Sequence, residues 1–376
     1  MSISEERLQI YHKESQNREE GVLNGIPLFY TYPKLATILP AIPNGYPILL
    51  TANSGVGKSQ SWIGIFVYTV YKLKKEHPEL NIKIKLVIAL LEDTKEMFID
   101  RLYCMLLFNL YQIVLEPMAL HSQKETPLSK DILEKLTLVK PEVDSLLEDC
   151  EIADSIYNAT GIYKWARNIS NKLGKHHQKE VMFSDSDGNQ VPTKVYSHYE
   201  QNDKNTHVLM VVDNLNNLAV EMKDGRLLTE RETINLWTRT YCRLQITKHW
   251  HWSVINIIQQ AADTESQQFT MKGVSIIEKL KPSLSGLGNS KECQRDHFLI
   301  FGLFAPARYG IGKYPDSGYD INKLEDKFRS LIILKSNISK SNIEIPMYFN
   351  GACSLVREMP SLNETEKLNY LYKNLI

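Results

Sequence analysis

The sequence is short of several things that would name a chemistry at once, and each shortage removes a class of explanation. There is no surplus of charge: 44 Lys and Arg balance 44 Asp and Glu, with an isoelectric point near 7.1. No global basic field exists to gather nucleic acid, so any such contact must come from local patches or from encirclement. The five cysteines, Cys104, Cys150, Cys242, Cys293 and Cys353, are odd in number and widely scattered, with no Cys-x-x-Cys pair. That pattern excludes a zinc site and a disulfide framework, and it reads as reduced, packed thiols in a cytosolic compartment. No apolar run is long enough to span a bilayer, and the polar, acidic start Met1-Ser-Ile-Ser-Glu-Glu-Arg7 is no signal peptide. The expectation is a soluble, cytoplasmic protein with no membrane partner. The 19 tyrosines lack the clustered aromatic and basic pattern of a sheet that stacks single-stranded bases. Internal repeats, low-complexity tracts and a Ser-His-Asp nucleophile motif are also missing.

What is present is a chain of 376 residues with 43% hydrophobic composition, enough for one large α/β domain with additions or for two domains. Residues 1–23 read as a charged helical arm whose few apolar residues are Leu8, Ile10 and Tyr11. Residues 24–356 read as the main domain and 357–376 as a C-terminal helix opened by Ser361. Within the domain, strand Ile48 to Leu50, helix Gln60 to Glu76, strand Ile84 to Leu91 and a further helix follow one another, which argues for a parallel sheet. Asp93, with Glu96 three residues on, reads as the cap of that further helix. Residues 115–170 look mainly helical, and alternation over 180–200 around Asp187-Gly188 reads as an inserted β-hairpin. A strongly apolar strand, Val208 to Val212, ends in Asp213; a helix at about 229–248 and a strand, Val254 to Ile258, come next. The stretch 298–356 is β-rich.

The sharpest motif lies between the first strand and its helix, in Thr51-Ala-Asn-Ser-Gly-Val-Gly-Lys-Ser59. A Gly-rich loop there presents successive backbone N–H groups to a polyphosphate, with the positive end of the helix dipole behind them. Ala52, Asn53, Ser54, Gly55, Val56, Gly57, Lys58, Ser59 and Gln60 form the expected ATP-binding set. Gly55 and Gly57 let the backbone approach closely, Lys58 reaches the β/γ-phosphates, and Ser59 ligates Mg2+. Ala52 stands where glycine is usual. Magnesium also needs a carboxylate at a neighbouring strand tip, and Asp213 supplies it, held through water. No acid follows Asp213, since Asn214, Leu215 and Asn216 come next, which argues against families with Asp-Glu at this point. In this the chain resembles ATPases of the RecA type, which carry the general base that hydrolysis requires at the end of the strand after the P-loop helix, and the resemblance implies Glu92 for that role.

With Glu92 so placed, the chain resembles the RecA-type ATPase domain of DnaB-like replicative helicases, in a divergent form such as bacteriophages carry. The likeness runs from about Asn24 to Gly351 and is sharpest at the P-loop. The Glu92…Arg101 spacing, the helix with Ala166-Arg167 and the helix opened by Thr229-Glu-Arg-Glu232 are similar to family segments. The resemblance implies a RecA-like core with a mainly parallel β-sheet flanked by helices, ATP and Mg2+ as cofactors, and self-association into a ring, with a hexamer expected. Single-stranded DNA and other replication proteins are the implied partners, in a host cytoplasm if the chain is viral. It implies a γ-phosphate-sensing glutamine at Gln259, with Gln260 beside it as the alternative. DNA-facing loops would correspond to Ala261 to Gly286, with Lys272, Lys279 and Lys281. Gly288-Asn-Ser290 and Glu292 match the family's Ser-Gly motif only loosely.

The family also inserts a Lys and an Arg from the neighbouring subunit. Lys335 matches the lysine, but the arginine position is Asn337. Either Arg308 or Arg329 substitutes, or Lys335 works alone, or hydrolysis is slow. Only about 40 residues precede the P-loop strand, so the family's N-terminal helical domain has no counterpart in this sequence. Three functions stay open: an ATP-driven DNA motor of the helicase type, a DNA-binding ATPase without unwinding, and a nucleotide-binding assembly protein. His249 and His251, at i and i+2, read as a packed strand edge because no third metal ligand is near. His176-His177 reads as part of a polar linker.

Overall fold

A computed structural model describes residues 3–20, 22, 24–123, 127–184, 186, 189–261, 277–290, 292–315 and 318–374. Most of the expected DNA-facing stretch, residues 262–276 with Lys272, lies outside the described residues. Helix α1 (Ile3–Glu19) comes first and is solvent-exposed along nearly its whole length, as its scarcity of apolar residues requires.

The apolar hexapeptide Pro47–Ala52 forms β1, buried at every position. A strand without polar alternation needs cover on both faces, which a parallel sheet sandwiched by helices provides. Helix α2 follows: Lys58–Trp62 is α-helical, Ile63–Val67 forms a π-helical turn, and Tyr68–Glu76 is α-helical again. Next come β2 (Lys83–Leu90), α3 (Lys95–Tyr111), α4 (Lys130–Glu148), β3 (Cys150–Ala153) and α5 (Ala159–Leu173). A two-stranded ribbon, β4 (Gly174–Ser184) with β5 (Gln190–Gln201), then projects before β6 (Thr206–Asp213). Helix α6 starts at Glu230–Asn235, turns π-helical over Leu236–Thr247 and ends at Lys248–Trp250. Strands β7 (Ser253–Gln259), β8 (Leu299–Phe304), β9 (Phe328–Ser336), β10 (Ile343–Asn350) and β11 (Leu355–Glu358) precede α7 (Thr365–Asn374).

Nine strands form one sheet in the order β11-β10-β9-β8-β1-β7-β6-β2-β3. The six from β8 to β3 run parallel, and β9 to β11 continue the β8 edge antiparallel. The chain is thus α/β with a mainly parallel sheet. Side chains alternate between the two faces, as the strand period demands. Ile48, Leu50, Leu86 and Ile88 pack against α2, α3 and α4. Leu49, Val87, Ala89, Met210 and Val212 pack against α5 and α6.

Several expectations need correction. Helix α3 is capped by Thr94, whose side chain accepts from the Met97 N–H at 3.2 Å; Asp93 instead pairs with Arg101 at 3.2 Å. A β-edge strand, β3, interrupts the segment expected to be helical; it is short and half-exposed, so it carried little pattern. The ribbon begins at Gly174, earlier than expected, because His176 is packed against Trp250 and Tyr199 and hydrogen-bonds Ser170. The pair His176-His177 is therefore strand, not linker. His249 lies at the end of α6 and His251 in the turn after it, with a left-handed φ of 59°, so the two do not share a strand face. Trp250 and Trp252 anchor that turn in the core.

Candidate active site

The expected P-loop residues, Glu92, Asp213 and Gln259 lie at the carboxyl edge of the parallel strands, where open α/β sheets bind ligands, and Lys335 does not. Strand β1 ends at Ala52 and the loop turns at Gly55 (φ 69°) and Gly57 (φ 95°), both left-handed. Gly57 also caps α2, and a Cβ there would lie 2.4 Å from Phe349 Cζ. Conformation and space both demand glycine at 57. Lys58 is buried and folds back along the loop, its Nζ donating to the carbonyls of Ala52 (3.4 Å) and Asn53 (3.2 Å). Ser54 and Gly55 face solvent, while Gln60 lies half-buried on the first turn of α2.

Asp213 is 2% exposed at the tip of β6. Its Oδ2 accepts from the Ser59 hydroxyl at 2.8 Å and from the Trp62 indole N–H at 2.7 Å. Burial pushes the Asp213 carboxyl up to about 6, with smaller pushes from the charges of Glu92 and Asp93; the two donors work against the rise. Trp62, on the helix expected over Gln60 to Glu76, was given no part in the site from sequence. Its signal was an indole N–H one helical turn after Ser59, on a buried face where that donor must find a partner. Phe98 stacks on its ring at 5.7 Å and holds it in place.

Glu92 lies two residues past β2, exposed, and level with the tip of β6: Leu90 pairs with Asp213, and the Leu91 N–H donates to the Asp213 carbonyl at 2.6 Å. The asparagines after Asp213 tie this corner together. Asn214 Nδ2 donates to Glu92 Oε2 at 3.2 Å, and Asn214 Oδ1 accepts from the Asn216 N–H at 3.2 Å. Asn216 Oδ1 in turn accepts from the Gln259 N–H at 2.8 Å. Sequence reasoning used these asparagines only as a missing acid. The structure makes them a hydrogen-bonded strap from Glu92 to the end of β7.

The two glutamines differ. Gln259 is half-exposed at the tip of β7, in register with Ala52. Gln260 is buried, and its amide clamps Thr51 Oγ1 (2.9 Å) and the Ser283 carbonyl (3.2 Å), a packing role beside β1. Lys335 stands apart from its own chain's P-loop. Strand β9 starts at the P-loop and runs away from it, so Lys335 pairs with Ile300, which is level with Leu49 rather than Ala52. Along the sheet that is about 10 Å back from the loop, and two strands across. Its Nζ donates to the carbonyls of Gln294 and His297, and burial lowers its pKa. A role for Lys335 in ATP chemistry therefore requires a second copy of the chain.

Arg329 and Arg308 both reach the P-loop of their own chain. Arg329 is 1% exposed beneath it, donating to the Val56 carbonyl at 2.8 Å and stacking on Phe349 at 4.2 Å. Arg308 is exposed above it and donates to the Ser54 carbonyl. Asn337 closes off the end of β9, with its N–H on the Phe298 carbonyl at 2.8 Å.

The donor set at Asp213 and Ser59 suits magnesium: a hydroxyl and a carboxylate 2.8 Å apart, the carboxylate buried and pushed upward with Glu92 and Asp93 nearby. Such an all-oxygen, anionic corner favours a hard dication. Among the described residues no cluster of three or more His, Cys, Asp or Glu forms a protein-only metal cage, and no helix is long and apolar enough to cross a membrane.

No family model matches the sequence, and no curated protein matches it. Solved structures do. The ATPase domain of G40P superposes with a TM-score of 0.63 at 15% identity, over 96% of this chain and 99% of that one. A DnaB-like replicative helicase, described with its interactions with primase, superposes with a TM-score of 0.62 at 15% identity, over 96% of this chain and 67% of that one. The fold is thus that of a RecA-type ATPase domain. More narrowly, it is the fold of the ATPase domain of DnaB-like replicative helicases.

Proposed function

We propose that the chain is an ATP-hydrolysing motor of the DnaB-like helicase type, which assembles as a hexameric ring and translocates on single-stranded DNA. The observation that supports it best is the convergence of Lys58, Ser59, Asp213 and Glu92 at one sheet edge. In this reading the P-loop N–H groups and Lys58 hold the β/γ-phosphates, and Ser59 and Asp213 hold magnesium. The metal, when bound, offsets charge on the phosphate oxygens. Glu92 accepts the proton of the attacking water, and Asn214 fixes its carboxylate. Gln259 senses the γ-phosphate and, through Asn216, stays coupled to the Glu92 corner. Lys335 serves the next subunit's site.

A second reading is a DNA-binding ATPase that does not unwind, such as a loader or mediator, and Asn337 in place of an arginine favours it. The deciding experiment compares wild type with Lys58→Ala in DNA-stimulated ATPase and strand-displacement assays. Loss of both activities in the variant supports the motor. ATPase on DNA without displacement in wild type selects the second reading, and variant activity equal to wild type overturns both.

A further inference from the structure

We propose that Lys281 is a positioning residue and not a nucleic-acid contact: with Glu344 it fastens a strap, Lys281-Pro282-Ser283, across one face of the sheet. The inference bears on the DNA part of the reading above and is independent of the ATP chemistry.

Register places four residues in one row. Thr51 on β1 pairs with Gly302 on β8, Gly302 with Ile332 on β9, and Ile332 with Glu344 on β10. Residues paired in this way point to one face, and the row spans three strand spacings, about 14 Å. It lies one residue before Ala52, where β1 ends. The strap follows this row. At one end the Gln260 amide donates to Thr51 Oγ1 (2.9 Å) and to the Ser283 carbonyl (3.2 Å), and its Oε1 accepts from the Ser283 N–H at 3.4 Å. In the middle Pro282 is buried over β8, and Gly302 is what admits it: a Cβ there would lie 2.9 Å from Pro282 Cβ. At the far end Lys281 Nζ donates to Glu344 Oε1 at 2.6 Å and lies 5.3 Å from the centre of the Tyr314 ring.

Glu344 is well set to hold that ammonium. Its other oxygen accepts from the Ser330 hydroxyl at 2.8 Å and from the Tyr314 hydroxyl. Burial works to raise its carboxyl, yet the bonds from Lys281, Tyr314 and Ser330 outweigh burial and hold it below the ordinary value. The Lys281 side chain is 13% exposed and that of Glu344 28%, so the pair is largely withdrawn from water. To reach a phosphate, Lys281 would have to leave Glu344 half-buried without its counter-ion, a costly exchange. The lysine expected to face DNA therefore faces the protein. Next to the strap the chain closes on itself: the Ala261 N–H donates to the Gly286 carbonyl at 2.8 Å, and the Gly286 N–H to the Ser283 hydroxyl at 3.1 Å. Both ends of the stretch Ala261 to Gly286 are thus held at the sheet, and Lys281 sets where its returning limb lies.

The test uses the full chain with Lys281→Ala, Glu344→Ala and both together. It reads amide hydrogen exchange, thermal unfolding, and affinity for oligothymidylate over a range of salt. Each single change should speed exchange at the Ala261, Ser283 and Gly286 amides by about tenfold or more, as the loss of a charge-assisted bond implies. Adding the second change to the first should alter that rate by less than about threefold, because one bond is lost only once. The salt slope of DNA affinity should keep its wild-type value in Lys281→Ala. A slope shallower by about 0.7, one phosphate contact on a single strand, overturns the proposal. So does wild-type exchange in Lys281→Ala, or single effects that multiply in the double variant. If thermal unfolding shows that Glu344→Ala does not fold, Glu344→Gln, which keeps acceptors for Tyr314 and Ser330, takes its place in the cycle. A wild type that binds no oligothymidylate overturns the DNA part of the reading above, and the exchange rates still decide the role of Lys281.

Discussion

Asp213→Asn should make the nucleotide-free protein more stable while disabling it. Asp213 is held at the tip of β6 with its carboxyl raised from the ordinary 3.8 to about 6. At about 1.36 kcal/mol per pH unit, the ionised carboxylate costs the folded state about 3 kcal/mol at pH 7.5. The sign follows from the direction: a folded pKa above the unfolded one gives stability that is fully present below 3.8 and lost as pH rises through about 6. Asparagine carries no charge, and its single oxygen can keep both bonds that Oδ2 now accepts, from Ser59 and Trp62. In a chain of this length about 3 kcal/mol corresponds to a melting shift of about 4 °C. The gap should shrink to about 1.6 kcal/mol at pH 5, where much of the wild-type carboxyl is protonated. Thermal unfolding without nucleotide or magnesium, at pH 5 and pH 7.5, measures it. A wild type more stable than the variant at pH 7.5, or a gap independent of pH, would refute the reasoning. ATP turnover by the variant should be lost at every pH.

Other changes probe the neighbouring groups. Glu92→Gln keeps the length and the bond from Asn214 but removes the base, so kcat should fall by about 100-fold to 10,000-fold with ATP still bound, as single-turnover kinetics and a binding titration would show. Trp62→Phe keeps the stack on Phe98 and removes one donor to Asp213, so the acid limb of the magnesium-dependent rate should move about one pH unit upward; an unmoved limb counts against the indole's role. Lys335→Ala should cost turnover, and mixing it with Lys58→Ala should restore part of it, because an intact loop can then meet an intact Lys335 across an interface. No recovery in that mixture would argue that Lys335 serves only its own chain's packing.

The parts of the site legible in the sequence are those whose signal is local. A buried hexapeptide running into two glycines and Lys58 announces a strand, a loop and a helix within a few residues. Asp213 was found because five apolar residues precede it. Trp62 and Asn214 were given no role from sequence, and Arg308 was named there only as one of two possible substitutes for the arginine missing at Asn337, since the contacts of all three depend on partners far away in the chain. Trp62 meets Asp213 across 151 positions, Asn214 meets Glu92 across 122, and Arg308 meets Ser54 across 254. Asn214 and Asn216 were read only for the acid they are not, although Asx side chains that bond backbone N–H groups two residues on are a recognised local motif. The helix cap went to Asp93 because it stands three before Glu96, yet tertiary pairing with Arg101 took Asp93 and left Thr94 to cap.

The positions of the cations restrict how copies of this chain could share a site. Lys58 and Arg308 lie at the carboxyl edge of β1, whereas Lys335 lies well back along β9 on the carbonyls of Gln294 and His297. A two-fold dimer brings the same patch of both subunits together, so it could present Lys335 to a P-loop only if both lay on one self-complementary surface. They lie on different parts of the sheet. Delivery of Lys335 to a neighbour's γ-phosphate therefore calls for a head-to-tail contact, which closes into a ring when its rotation allows. A ring also answers the neutral overall charge, because a strand threaded through a closed channel is retained by topology where a charge field is lacking. Under this reading a wild-type assembly of only two subunits, with full ATPase activity and Lys335→Ala inactive, could not occur; sedimentation of the active species with an ATP analogue decides it.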